Sequence, residues 1–188
     1  MYLKQYSESG SWTCPKTADY KIVVTAGGSA ARLSSDSIRR GKAGSTEVYV
    51  CRLQEGETVS ITVGAAGQNL TDAGTADEAE AAAARGGDSA FGSHTAAASL
   101  GETIKFGAFE RAAVGGDGGY TPDGATRGAG GLIAGSSYGY VSIAPTGNGG
   151  MPGMPGFGRG AGGGASWNGS HAVYTAPVPG SVRIMELA

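Results

Sequence analysis

The chain has 188 residues, 36 of them glycine, with a formal net charge of −2 and only 16% charged residues. That length suits one domain, and 40% hydrophobic residues with so little charge place it outside the disordered class. No apolar run approaches the ~20 residues of a membrane-spanning helix, and the one basic cluster, Arg39, Arg40 and Lys42, is too small for a phosphate-binding surface; no nucleic acid and no membrane insertion are expected.

The opening Met1–Tyr6 is polar and unlike a secretory leader, so the expectation is a chain without a signal peptide, made in the cytoplasm. Tyr20–Thr25 alternates, placing Tyr20, Ile22 and Val24 on one face of a strand. Gly27 and Gly28 end that run. Thr46–Leu53 is a second strand rich in β-formers, and Thr58–Val63 a third, with Val59, Ile61 and Val63 on one face. Glu55-Gly56 between them is a turn signal, which predicts that the second and third strands form a hairpin. The chain closes with Ser181–Leu187, where Val182 and Ile184 share a face. Strand-like ends around a different middle predict a sandwich that incorporates its own C-terminal strand.

Residues 75–86 read as a short α-helix. Thr75 is an N-cap with Glu78 three residues on, the Ala run follows, and Arg85 and Gly86 sit at the C-terminal end. After residue 100 glycine dominates, in Gly115–Gly119, Gly128–Gly131, Gly147–Gly150 and Gly158–Gly164. No Gly-X-Y period runs through these segments, so collagen is excluded. Leu132, Ile133, Tyr138, Tyr140, Val141, Ile143, Phe157 and Trp167 interrupt them, unlike a flexible Gly/Ser linker. Fixing a glycine costs more backbone entropy than fixing other residues. Ordered glycines in this number therefore predict close backbone packing, which polyproline-II helices achieve by bonding to their neighbours.

The chemical motifs are weak. Gly158-x-Gly160-x-x-Gly163 matches a dinucleotide fingerprint, but no hydrophobic strand precedes it and no helix follows. His94 and His171 are the only histidines, and with Cys14 and Cys51 they lack the local spacing of a zinc site. Two cysteines make no disulfide framework; they read as small core residues, or as a single disulfide where their strands lie adjacent. Asp77, Glu78 and Glu80 lack the spacing of a calcium loop. No metal, no cofactor and no enzymatic activity are expected.

Four segments, in order, carry a family resemblance. Ser9-Gly-Ser-Trp-Thr-Cys-Pro15 leads into Tyr20–Gly28; Leu53–Gly67 follows; then comes Asp88-Ser-Ala-Phe-Gly92; and Pro179-Gly-Ser-Val-Arg-Ile-Met-Glu186 closes the chain. Together they resemble the glycine-rich domains of bacteriophage tail fibres and tail tips, over nearly the whole chain. That resemblance implies an all-β fold: a jelly-roll-like, tumour-necrosis-factor-like antiparallel β-sandwich with packed polyglycine-II helices inserted between its strands. It implies a single domain over 1–188, with 1–67 and 179–188 forming the sandwich and 68–178 the glycine-rich insertion. It also implies a virion protein acting as a receptor-binding adhesin at a tail fibre or tail tip. Its partners would be other tail subunits and a host surface saccharide or outer surface protein, with a homotrimer among the expected assemblies. A tail or capsid-decoration protein without receptor contact is the alternative.

Binding residues are expected in the glycine-rich half, where Tyr120, Tyr138, Tyr140, Trp167, Asn168 and His171 sit among glycines. Aromatic groups with few charges suit saccharide or protein-loop recognition. The competing reading is that Tyr138, Tyr140 and Trp167 cover a glycine layer. Trp12, in the opening segment, is expected to be structural.

Overall fold

The computed structural model describes residues 3–33, 37–39, 41–68, 84–100, 103–105, 112–114, 133–135, 162, 165–167, 172–174 and 176–187. Two four-stranded antiparallel sheets make the sandwich. The first contains β1 (Leu3–Tyr6), β3 (Ala18–Thr25), β6 (Thr46–Leu53) and β15 (Ser181–Glu186), in the order β1-β15-β3-β6. The second contains β2 (Gly10–Thr13), β7 (Thr58–Thr62), β8 (Ser89–Phe91) and β9 (His94–Ala96), in the order β2-β7-β8-β9. The C-terminal strand is an interior member of the first sheet, pairing Val182 with Val24 and Ile184 with Ile22 on one side and β1 on the other.

Alternation sets the faces. Tyr20, Ile22 and Val24 of β3 and Val182 and Ile184 of β15 are fully buried, and they meet Trp12, Leu53, Ile61, Phe91 and Ala96 from the other strands in one core. Trp12 is structural: its ring lies 5.2 Å from that of Tyr20, edge to face, and 5.9 Å from that of Phe91. Val59 and Val63 pack against the same core, as their shared face requires. Burying each large apolar side chain is worth roughly 1.5–3 kcal/mol, so the interface between the two sheets is where cohesion concentrates.

The expected hairpin of the second and third strands does not form. β6 pairs with β3, whereas β7 pairs with β2 and β8 in the other sheet. Gln54–Glu57 is a turn that carries the chain from one sheet to the other. Glu57 N donates to Gln54 O at 3.0 Å and Gly56 holds φ 81°, the left-handed conformation that this turn needs from glycine. The corner is held by Cys14, the residue that follows β2: Gly56 N donates to Cys14 O at 2.9 Å and Cys14 N donates to Glu57 O at 2.8 Å. The turn signal was real, but its non-local partners make it a corner.

β8 and β9 fall inside the 68–178 stretch expected as an insertion, yet they complete the second sheet and bury Phe91 and Ala96. Two residues, Gly92 and Ser93, connect them, with Gly92 at φ 57°. Two further sheets are built from short strands. β4 (Arg32–Leu33), β5 (Ser37–Arg39) and β10 (Thr103–Lys105) form one, ordered β10-β5-β4. β11 (Ala112–Val114), β12 (Ile133–Gly135), β13 (Ala165–Trp167) and β14 (Ala172–Tyr174) form the other, ordered β12-β11-β13-β14. The expected helix falls almost wholly outside the described residues: of 75–86 only 84–86 are described.

Candidate functional site

One end of the sandwich has no side-chain core. β3 ends there at Thr25, opposite the first residues of β6 and β15, Thr46 and Ser181. Beyond that line the chain leaves strand geometry: segment 26–31 is buried throughout, and segments 41–45, 64–67, 84–87 and 176–180 lie around it, with Gly41, Gly44, Gly64, Gly67, Gly86 and Gly180 buried. Gly, Ala and Ser predominate in them, so backbone meets backbone.

The hydrogen bonds of segment 26–31 follow a period of three. Ala26 N donates to Ser45 O at 3.0 Å and Ser29 N to Lys42 O at 2.9 Å, both toward segment 41–45. Gly27 N donates to Gly87 O at 2.9 Å and Ala30 N to Ala84 O at 2.8 Å, both toward segment 84–87. Gly28 N donates to Val178 O at 3.0 Å, and its carbonyl accepts from Gly67 N at 2.8 Å. Residues three apart thus address the same neighbour. The outer segments bond to one another as well: Gly87 N to Ala65 O at 2.8 Å and Gly180 N to Gly64 O at 2.9 Å.

Close approach explains the glycines. A Cβ on Gly27 would collide with the carbonyl of Ala65, and one on Gly64 with the carbonyl of Gly87. Small polar side chains pin the margins. Ser29 Oγ accepts from Lys42 N at 2.7 Å, and Ser89 Oγ accepts from Gly64 N at 2.9 Å. Asp88 accepts from Arg85 Nη2 and from Ala98 N, both at 2.8 Å, while Arg85 Nε donates to Ala98 O at 3.0 Å. The segment before β8 is thereby tied to the segment after β9. Gly162, from the glycine-rich half, is buried against Gly41 and Lys42 and so adjoins this region.

Of the expected binding residues, Tyr120, Tyr138, Tyr140, Asn168 and His171 lie outside the described residues. Trp167 is the last residue of β13 and pairs across the hairpin with Ala172, the first of β14. The connection between these two strands therefore carries Asn168 and His171 in sequence next to the Trp167–Ala172 pair.

Cys14 and Cys51 are both free thiols. Cys14 is buried, with its Sγ 3.1 Å from Lys16 O. Cys51 is held above the ordinary thiol value, first by burial and then by the fields of Glu57, Asp19 and Cys14. A raised value is the opposite of what an activated thiolate requires. His94 packs against Tyr49 with ring centroids 4.2 Å apart, and Tyr49 Oη donates to Thr95 O at 3.2 Å, joining the margins of the two sheets. Sequence reading passed over this pair. Its signal was the run Val48-Tyr-Val-Cys51, which is apolar on both faces. Among the described residues no three His, Cys, Asp or Glu side chains gather as metal ligands, and no helix is long and apolar enough to cross a membrane. In comparisons with known proteins, no family model and no curated sequence matches the chain.

Proposed function

We propose that the chain is a binding protein of a bacteriophage particle, a receptor-binding adhesin at a tail fibre or tail tip. In this reading the sandwich is jelly-roll-like, and the laterally bonded segments belong to a polyglycine-II layer built on one end of it. The observation that carries the reading is the three-residue period of hydrogen bonds around segment 26–31. A helix with three residues per turn and no internal bonds offers its amides to neighbours in just this rhythm. It accompanies the four ordered segments that resemble those of glycine-rich tail-fibre domains.

The physical logic is preorganisation. Loops leaving a layer fixed by lateral bonds have little entropy left to lose when they engage a ligand. The contact residues would be Tyr120, Tyr138, Tyr140, Trp167, Asn168 and His171, with aromatic faces against a saccharide or an outer surface protein. The test replaces Tyr120, Trp167 and His171 by Ala singly in the assembled particle, and measures adsorption to host cells beside thermal stability. Loss of adsorption at unchanged stability is the expected result. Normal adsorption with particles that fail to assemble would favour a purely structural virion role.

A further inference from the structure

The three-stranded sheet sorts its residues by chemistry. β5 lies between β10 and β4, and the register sets Arg39 between Thr103 and Arg32, Ile38 between Ile104 and Leu33, and Ser37 opposite Lys105. Alternation gives one face Leu33, Ile38 and Ile104, and the other Arg32, Ser37, Arg39, Thr103 and Lys105. In sequence the basic cluster is Arg39, Arg40 and Lys42. The sheet regroups it, joining Arg39 to Arg32 and to Lys105 from far along the chain. Arg32 and Arg39 are directly opposed, which sets their Cβ atoms about 5 Å apart, and Lys105 is the diagonal neighbour of Arg39 at about 7–8 Å. Like charges directly opposed destabilise a sheet, and strands of two and three residues have little stability to give up. The chain has 16 acidic residues against 14 basic ones, yet none is among the described residues of this face. Asp36 and Glu102, the acids next to these strands in sequence, are one residue out of step with it.

We infer that the Arg32–Arg39 face of this sheet is a binding site for a dianionic phosphate group. The inference stands apart from the virion reading. Charge complementarity selects the ligand. A phosphate monoester carries about −1.5 to −2 near neutral pH, with acceptor oxygens on three sides, and so balances the two opposed guanidinium groups. A carboxylate brings a single charge and relieves half of their repulsion. The planar guanidinium fork also matches phosphate with two parallel hydrogen bonds. Ser37 and Thr103 place hydroxyl donors on the same face, and Lys105 adds a positive charge that draws anions toward it. Arg32, Arg39 and Lys105 suffice for one phosphate group but not for the run of charges along a nucleic-acid backbone, so the expectation of no nucleic-acid partner stands beside this site.

The test is calorimetric titration of the full chain with inorganic phosphate, glucose monophosphate, glucuronate and glucose, with backbone amide shifts to locate the contact. Both phosphates should bind, more weakly as salt rises, and shift the amides of β4, β5 and β10. Glucuronate should bind about tenfold more weakly or worse, and glucose not at all. Tighter binding of glucose monophosphate than of inorganic phosphate makes a phosphorylated saccharide the source of the group; equal binding makes it the free anion. Arg32→Gln and Arg39→Gln should each weaken phosphate binding about tenfold or more, while Lys21→Gln in the first sheet leaves it unchanged. Without phosphate, either glutamine variant should unfold at or above the wild-type Tm, because it removes one of two opposed like charges. A wild type that binds neither phosphate would overturn the inference. So would phosphate binding that survives both arginine variants, glucuronate binding as tight as that of phosphate, or a lower Tm in both variants.

Discussion

Substituting Gly27 by Ala places one methyl group where the backbone of Ala65 already lies. No flexible side-chain tip can yield there, so two bonded segments must separate. Overpacking of this kind costs about 1–3 kcal/mol. The shift also strains the bonds from Gly27 N to Gly87 O and from Gly87 N to Ala65 O, each worth about 0.5–1.5 kcal/mol net. Together these give a loss of about 2–6 kcal/mol, a large part of the 5–15 kcal/mol that holds a typical domain. At about 2–4 °C per kcal/mol for a chain of this size, Tm falls by about 4–24 °C. The control is Gly10→Ala, where nothing lies within 4 Å of the added carbon; by trimming unfolded-state entropy it should be neutral or stabilising by up to about 1 kcal/mol. Urea and thermal unfolding of both variants decide the matter. If Gly27→Ala lies within about 1 kcal/mol of Gly10→Ala, the backbone contacts do not bear on stability and the reasoning fails.

Deleting Ser181–Ala188 removes an interior strand with Val182 and Ile184, so the truncated chain should not fold; a soluble product with a cooperative transition would contradict the sheet order. Trp12→Ala should cost about 3–5 kcal/mol by opening a cavity between Tyr20 and Phe91, read by the same unfolding assays; a loss under 1 kcal/mol would mean that the ring is not a core anchor. Gly162→Val should destabilise in the same assays, because a Cβ there meets the Gly41 carbonyl; an unchanged midpoint would detach the glycine-rich half from segment 41–45. Cys51 has a raised pKa, so its folded state favours the neutral thiol. Its contribution to stability is whole below the unfolded value and is lost as pH rises through the folded one. Alkylation of Cys51 should accordingly accelerate only at a higher pH than that of a free cysteine; equal pH profiles would refute the shift.

The sandwich was legible where alternation ran for several residues. Tyr20, Ile22 and Val24, and Val182 and Ile184, face the core as their period of two requires. Short strands were not: Ser89–Phe91 and His94–Ala96 give too few alternations to stand out from a glycine-rich stretch. The hairpin expectation failed because Glu55-Gly56 is equally suited to a hairpin and to a corner. The deciding contacts, Cys14 with Gly56 and Glu57, come from about forty residues away in sequence. Lateral glycine packing was expected in the runs between Gly115 and Gly164, which lie mostly outside the described residues. The lateral bonds of segment 26–31 and its neighbours were not expected, because Gly27 and Gly28 read only as the end of a strand. Local propensity does not distinguish a glycine that stops a strand from one that lets the next segment approach. Of the six expected binding residues, only the backbone of Trp167 could be placed, at the end of a hairpin that the sequence did not announce.

The two halves of this architecture solve one problem differently. Between the sheets, at a spacing of about 10 Å, side chains must fill the gap, and Trp12, Tyr20 and Phe91 do so with area. Past Thr25 the gap is closed by removing side chains until carbonyls and amides meet directly. Each ordered glycine forfeits about 0.5–1 kcal/mol relative to Ala. The return is a set of bonds that would otherwise be left unmade in a buried place, where an orphaned amide costs about 1–3 kcal/mol. The exchange closes only when segments are bonded on several sides, as 26–31 is by four others. It follows that segment 26–31 is the cooperative centre of this end of the molecule. Its amides, rather than those of the segments around it, should be the last of this layer to exchange with solvent. Early exchange at Gly27, Gly28 and Ala30 with late exchange at Gly67 and Gly180 would show the order of dependence to be the reverse.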